Sequence, residues 1–330
     1  MNNDKIKILL DTDIGSDIDD AVTLAYLLAQ PRCELVGITT VTGKPVERAM
    51  VASAICKVAG NNVTIIPGAE NQIDGSPPRQ PEVPQAVKLP NWDHDTEFPD
   101  QDAVEFMAET IRKNPGEIVL LAVGPMTNVG RLFKTHPDIP GLLKSLQMMS
   151  GRFTNYPDAP KSEWNVHCDP TAAEIVYTTD VAKHTSLGLD VTMKVVMFTP
   201  EVVKTFKHKF LDPVLDMYHV GDRKRVYFHD PLAAVTLFDD SMCTFENGTA
   251  TVNRINNRDD GAIDWAPDKD GPHTIGLTVD VEGFFKSYFS VFESRSPVCS
   301  FQPISRPQRS GVERPSAGSG LGELSAPHSI

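Results

Sequence analysis

The segment LLDTDIGSDIDDA, residues 9–21, places Asp11, Asp13, Asp17, Asp19 and Asp20 within ten positions. Carboxylates this close repel one another unless protons or a cation intervene. Alternation along a strand puts Asp11 and Asp13 on one face at its carboxyl end. Gly15 permits a sharp turn, and Asp19 and Asp20 then fall near a helix N-terminus. Oxygen-only ligands on a partly flexible loop suit a hard cation, calcium or magnesium. The plainer reading of the same residues is an acid cluster capping a helix in a solvated turn.

The elements that must carry this loop alternate in type. KIKILLD is a buried strand ending at acids. DDAVTLAYLLAQ has helical spacing, with acids in the first turn where the helix dipole favours them. CELVGITTV and VTIIPG read as strands around the helix PVERAMVASAICKVAG, which has Pro45 at its start and Gly60 at its end. Residues 68–99 break the pattern with prolines, and a loop of that length beside strand ends suits a lid or pocket wall, with a passive surface excursion as the alternative. Helix, strand and helix follow in AVEFMAETIRK, EIVLLAVG and PMTNVGRLFK, the last opened by Pro125. LLKSLQMMSG and TSLGLDVT read as strands, and PEVVKTFKHKFLDPVLDMYHV as a helix interrupted at Pro213. The pattern predicts an α/β fold: an open, mostly parallel central sheet with helices on both faces and a Rossmann-like core.

Composition narrows the class. The chain has 330 residues, with 31 basic against 44 acidic residues for a formal charge of -13. That balance repels nucleic acid backbones, so no nucleic-acid partner is expected. No stretch reaches the roughly 18 apolar residues of a membrane span, so no membrane partner is expected either. The start, MNNDKIKILLDTD, lacks a signal peptide's apolar stretch, and a cytoplasmic location is expected. Cys33, Cys56, Cys168, Cys243 and Cys299 show no CxxC spacing and read as free thiols in a reducing compartment. Residues 1–294 are expected to form one catalytic domain. Residues 295–330, rich in Ser, Pro, Gly and Arg, are expected to be a disordered tail.

Four motifs together resemble the inosine–uridine preferring nucleoside hydrolase family. The acidic loop is similar to that family's DxDxGxDDA signature. It departs from it by two residues, since Ser16, Asp17 and Ile18 stand where the common form has one; Asp17 is an extra acid. VGPMTN (123–128) resembles the family's GPLTN turn, SEWNVHCDP (162–170) its AEFN…DP segment, and FHDPLAAV (228–235) its HDPLA element. The resemblance spans the chain up to the closing helix.

The resemblance implies hydrolysis of the N-glycosidic bond of ribonucleosides to free base and ribose, in nucleoside salvage. It implies a calcium ion held by Asp13, Asp20, Asp230 and the Thr127 carbonyl, with a calcium-bound water giving its proton to Asp13. Asp19, Met149, Asn155, Glu163, Trp164 and Asn165 would hold the sugar or line the pocket, and His229 would protonate the leaving base. Glu163 and Asn165, two apart on an extended segment, would point the same way toward vicinal hydroxyls. A homo-dimer or homo-tetramer is implied as well. The family's His-Gly element is missing from the 68–99 loop, where Trp92 and His94 are the candidates to meet a base, weighed against plain loop residues. Two rivals stand beside this reading. One is a haloacid-dehalogenase-like phosphatase using the DTD at the strand end, although Ile14–Gly15 fits it poorly. The other is a non-catalytic ribose or nucleoside binder.

Overall fold

The computed structural model describes residues 5–154, 159–221, 223–254 and 260–293. Among these residues, eleven strands form two sheets. In chain order they are β1 (Ile6–Thr12), β2 (Cys33–Thr40), β3 (Ile65–Pro67), β4 (Ile118–Ala122), β5 (Ser145–Met149) and β6 (His184–Leu187). Then come β7 (Val196–Phe198), β8 (Arg225–Tyr227), β9 (Cys243–Val252), β10 (Ile263–Pro267) and β11 (His273–Val279). The large sheet runs β10-β9-β11-β6-β5-β4-β1-β2-β3, and β7 pairs with β8 apart from it. From β3 to β11 every neighbouring pair is parallel; β9 runs antiparallel to both β11 and β10. The expected mostly parallel α/β sheet is therefore observed.

Apolar residues on both faces explain why the strands read as continuous hydrophobic runs. Ile8 and Leu10 point into one core cluster and Leu9 into the other; Val119 and Leu121 divide from Leu120 in the same way. Helices Asp19–Ala29, Pro45–Ala59, His229–Val235 and Val281–Glu293 cover the first face. Helices Ala103–Lys113, Thr127–Thr135 and Pro170–Thr178 cover the second. Gly60 ends its helix in the left-handed conformation at φ 69°, which glycine adopts without strain. The helix Val281–Glu293 locks onto the first helix: Tyr288 stacks on Tyr26 at 5.4 Å, and its hydroxyl donates to the Val22 carbonyl at 3.0 Å.

Some local expectations are corrected. TSLGLDVT is a strand only to Leu187; a short helix, Leu189–Thr192, follows Gly188. The break in residues 200–220 falls at Phe206–His208, and Pro213 sits in the first turn of the second helix, where its missing N–H costs nothing. Residues 164–168 are helical rather than extended. The short strands β7, β8 and β10 had no clear period. Cys56, Cys168 and Cys243 are buried free thiols and Cys33 is half-buried. Asn155, Cys299 and the 295–330 segment lie outside the described residues.

Candidate functional site

β1 lies between β2 and β4, so its carboxyl end opens inside the sheet and not at an edge. The acidic loop leaves from there. Gly15 turns it at φ 115°, with Val83 packed against the place where a side chain would stand. Gly124, after β4, lets Asp13 lie close: a Cβ there would come within 2.9 Å of Asp13 Oδ1. Asp19 and Asp20 occupy the first turn of their helix. From far along the chain, the helix His229–Val235 brings Asp230 against them.

The carboxylates of Asp19, Asp20 and Asp230 are all buried, with ligand atoms within 4.8 Å of one another. They line a cavity of about 300 Å³ together with Asp13, Glu163 and Asn165. Hydrogen-bond donors are few. Asp20 Oδ1 accepts from Thr12 Oγ1, Asp13 Oδ2 from Gln80 Nε2 at 2.6 Å, and Asp19 Oδ2 from the Asp230 amide at 3.4 Å. Burial, then the neighbouring carboxylates, pushes Asp20 and Asp230 well above the usual range; Asp19 rises for the same reasons. Asp13 is raised by burial, an effect the charge of Arg48 partly offsets. A buried, oxygen-only cluster of this kind has the donor chemistry of a hard-cation site, so the residues fit a divalent ion.

Arg48 builds the loop from behind. It is wholly buried and donates from Nε to Gly43 O at 2.9 Å, and from Nη1 to the carbonyls of Asp13 and Ile14 and to Ser16 Oγ. Its Nη2 reaches Gln80 O at 3.2 Å and Glu82 O at 3.3 Å, so one guanidinium joins the acidic loop to the 68–99 segment. That segment supplies Gln80 to the cavity, whose Oε1 also accepts from Trp164 Nε1. Asp17 faces the cavity and pairs with Arg223, which also donates to Ser16 O at 2.8 Å.

Other expected site residues fall in different places. Met149 and Trp164 line the cavity. Glu163 caps the helix Trp164–Cys168, and its carboxylate accepts from the amides of Asn165 (2.7 Å), Gly151 (3.1 Å) and Val166 (3.2 Å). Burial nevertheless raises it to about 7. Asn165 Nδ2 donates to Val123 O at 2.8 Å and Met149 O at 3.0 Å. Asp11 lies beneath the cavity rather than in it, bonded by Thr39 and Asn128. His229 lines the cavity, and burial lowers it to about 4.

Thr127 is not among the residues that line the cavity. It is the first residue of its helix, so its carbonyl points along the helix axis, and its hydroxyl donates to Asp169 Oδ2 at 2.7 Å. Val123, at the end of β4, lines the cavity instead. Trp92 and His94 do not reach it: Trp92 Nε1 donates to Asp216 at 3.1 Å, and His94 bonds the Trp92 carbonyl. Sequence reasoning missed Arg48 and Gln80. Neither sits in a spaced motif, and only the tertiary fold brings them near the acids.

The chain matches the family described as inosine-uridine preferring nucleoside hydrolase over residues 8–286. It is 28% identical over 307 residues to a probable uridine nucleosidase 2 of Oryza sativa subsp. japonica, covering 83% of this chain and 89% of that one. It is 28% identical to the pyrimidine-specific ribonucleoside hydrolase RihA of Salmonella arizonae, over 83% of this chain and 88% of that protein. Its fold is similar to that of a plant nucleoside hydrolase, PpNRh1, with a TM-score of 0.78 at 22% identity, over 88% of this chain and 99% of the other.

Proposed function

The chain belongs to the inosine-uridine preferring nucleoside hydrolase family, and from that premise we propose that it cleaves ribonucleosides to free base and ribose with a calcium ion at the acidic cavity. One observation carries the reading: Asp230 meets Asp19 and Asp20, about 210 positions away in sequence, in one buried carboxylate cluster. Asp13, Asp20 and Asp230 would hold the ion, with Val123 rather than Thr127 as the nearby main-chain candidate. When bound, calcium supplies positive charge that eases deprotonation of the attacking water. Asp13 takes that proton, and its position is fixed by Gln80 and by Arg48 behind the loop. Asp19, Glu163 and Asn165, which line the same cavity, would hold the sugar diol, and the carboxylate field would favour the positive charge that develops on the ring. Asn155 is part of the sugar-binding proposal on sequence grounds alone. His229, which lines the same cavity, would meet the departing base.

Uridine is the first substrate to try, since two of the similar proteins are named for uridine or pyrimidine ribonucleosides. A homo-dimer or homo-tetramer and a cytoplasmic location belong to the same proposal. Among the described residues no helix is long and apolar enough to cross a membrane. The test is a reducing-sugar assay on uridine, cytidine, inosine, adenosine and guanosine, with and without a chelator. Sugar release that stops on chelation and returns with calcium is expected. Phosphate release from sugar phosphates without nucleoside cleavage would overturn the proposal.

A further inference from the structure

Gln80 stands in the 68–99 segment, and its side chain spans two parts of the cavity wall. Its Nε2 donates to Asp13 Oδ2 at 2.6 Å, and its Oε1 accepts from Trp164 Nε1. An indole N–H only donates, so Oε1 faces Trp164 and the amide NH2 faces Asp13. The two partners thereby fix the sense of the amide. The backbone beneath it is fixed as well. Pro81 follows and steers Gln80 away from helical backbone. The Gln80 carbonyl accepts from the buried Arg48 at 3.2 Å. Gly43 leaves room for this stretch, since a Cβ there would come within 2.5 Å of Pro81 Cα. Arg79, one residue earlier, donates to the His167 carbonyl at 2.6 Å and so ties the segment to the helix Trp164–Cys168.

We infer that Gln80 is a positioning residue that joins the aromatic wall of the cavity to Asp13, in a relay running Trp164–Gln80–Asp13. The inference rests on the proposed nucleoside cleavage and deepens it. Asp13 Oδ1 receives no side-chain donor among the described residues. With Oδ2 held by Gln80, the carboxylate does not turn freely, and Oδ1 keeps one direction. A group that must meet a water in one geometry gains most from such a hold, because a misplacement of about 1 Å can cost about 100-fold in rate. Trp164 is 49% exposed, so little packing holds its ring. The bond to Gln80 orients it instead. A nucleoside resting on that ring steadies Gln80, and through it Asp13.

The test uses the full chain, loaded with calcium and labelled with nitrogen-15. Its three tryptophans, Trp92, Trp164 and Trp265, give three indole N–H signals, and the one lost in Trp164→Phe belongs to Trp164. That signal should be protected from exchange with water, and in Gln80→Met it should move and exchange faster. A signal that Gln80→Met leaves in place would overturn the inference. Gln80→Met keeps the length and removes both polar atoms, and should lower kcat on uridine by about 100-fold with KM within about 3-fold. Trp164→Phe keeps a ring in the wall and removes the N–H. It should lower kcat by about 10-fold by itself and not at all when added to Gln80→Met. Losses that multiply in the double variant, or a Trp164→Phe effect confined to KM, would reduce Trp164 to pocket wall and end the relay. Gln80→Glu keeps the acceptor for Trp164 and gives Asp13 no donor, so it should keep the indole signal and lose kcat as far as Gln80→Met does, which sets the relay apart from a folding defect. A Gln80→Glu chain as active as the wild type would overturn the hold on Asp13. A wild-type chain that cleaves no nucleoside would sink the proposed function, whereas an unmoved indole signal sinks the relay, so the two failures read differently.

Discussion

Two groups of buried aspartates lie close together in this molecule, and they are treated in opposite ways. Asp169 accepts from the Ile73 amide (2.7 Å), Thr127 Oγ1 (2.7 Å) and the Ala172 amide (3.0 Å). Asp190 accepts from the amides of Phe153 (2.9 Å) and Thr154 (2.7 Å) and from Thr154 Oγ1 (2.6 Å). Each of these carboxylates is surrounded by donors and ties remote segments together. Asp13, Asp19 and Asp20 receive one protein donor each, and the Asp230 carboxylate receives none among the described residues. The residue type and the burial are the same. The donor count separates acids that hold the fold from acids arranged for something the protein does not itself provide.

The sharpest way to break this comparison is Asp13→Ala. Turnover of uridine should fall by about a thousandfold or more, while the melting temperature holds or rises because a buried charge is removed. Loss of activity together with collapse of the fold would place Asp13 with the structural acids. Next in size is the effect of the ion. Calcium at about 100 times its Kd should stabilise the chain by about 2.7 kcal/mol, read as a thermal shift that a chelator reverses and that Asp230→Ala abolishes. A shift that survived in Asp230→Ala would remove the cluster from the site.

The opposite pattern is expected of Asp169→Ala. Losing three bonds and stranding their donors should cost about 3 kcal/mol in denaturant unfolding, with kcat/KM per folded molecule within a few-fold of the wild type. Asp190→Ala should behave alike, and a selective loss of activity in either would blur the line between the groups.

The smallest effect concerns Glu163, which has donors and yet sits at about 7 through burial. The folded chain keeps that proton up to about 7, whereas the unfolded chain releases it near 4.5. The folded state therefore binds more protons in this window, and stability falls as pH rises through it. Metal-free protein should melt lower at the top of the window than at the bottom, and Glu163→Gln should flatten the slope. An unchanged slope in that variant would mean that Glu163 is ionised throughout.

The two groups also differed in how far sequence reached them. Asp13, Asp19 and Asp20 were legible because they stand in a short, oddly acidic loop between a strand end and a helix start, and Asp230 through the resemblance of FHDPLAAV to the family's HDPLA element. The strands of the parallel core were legible too, since burial on both faces writes a continuous apolar run. Arg48 was not, because its partners are main-chain carbonyls of Asp13, Ile14, Gly43, Gln80 and Glu82, and carbonyls leave no mark in a sequence. Glu163, the N-cap, is extended as read, but Asn165 was read as extended too because a five-residue helix is too short to show a period. Thr127 was assigned from a motif whose turn does lie by the cavity, where Val123 at the strand end is the lining residue and Thr127 begins the next helix.

The contact between Tyr288 and the first helix has a consequence for synthesis. The helix that presents Asp19 and Asp20 is made early, yet its backing, Tyr288 against Tyr26 and Val22, emerges from the ribosome more than 250 residues later. Until then one side of that helix is bare hydrocarbon. Chaperone binding to stalled nascent chains should therefore persist until the last helix is out and end abruptly there.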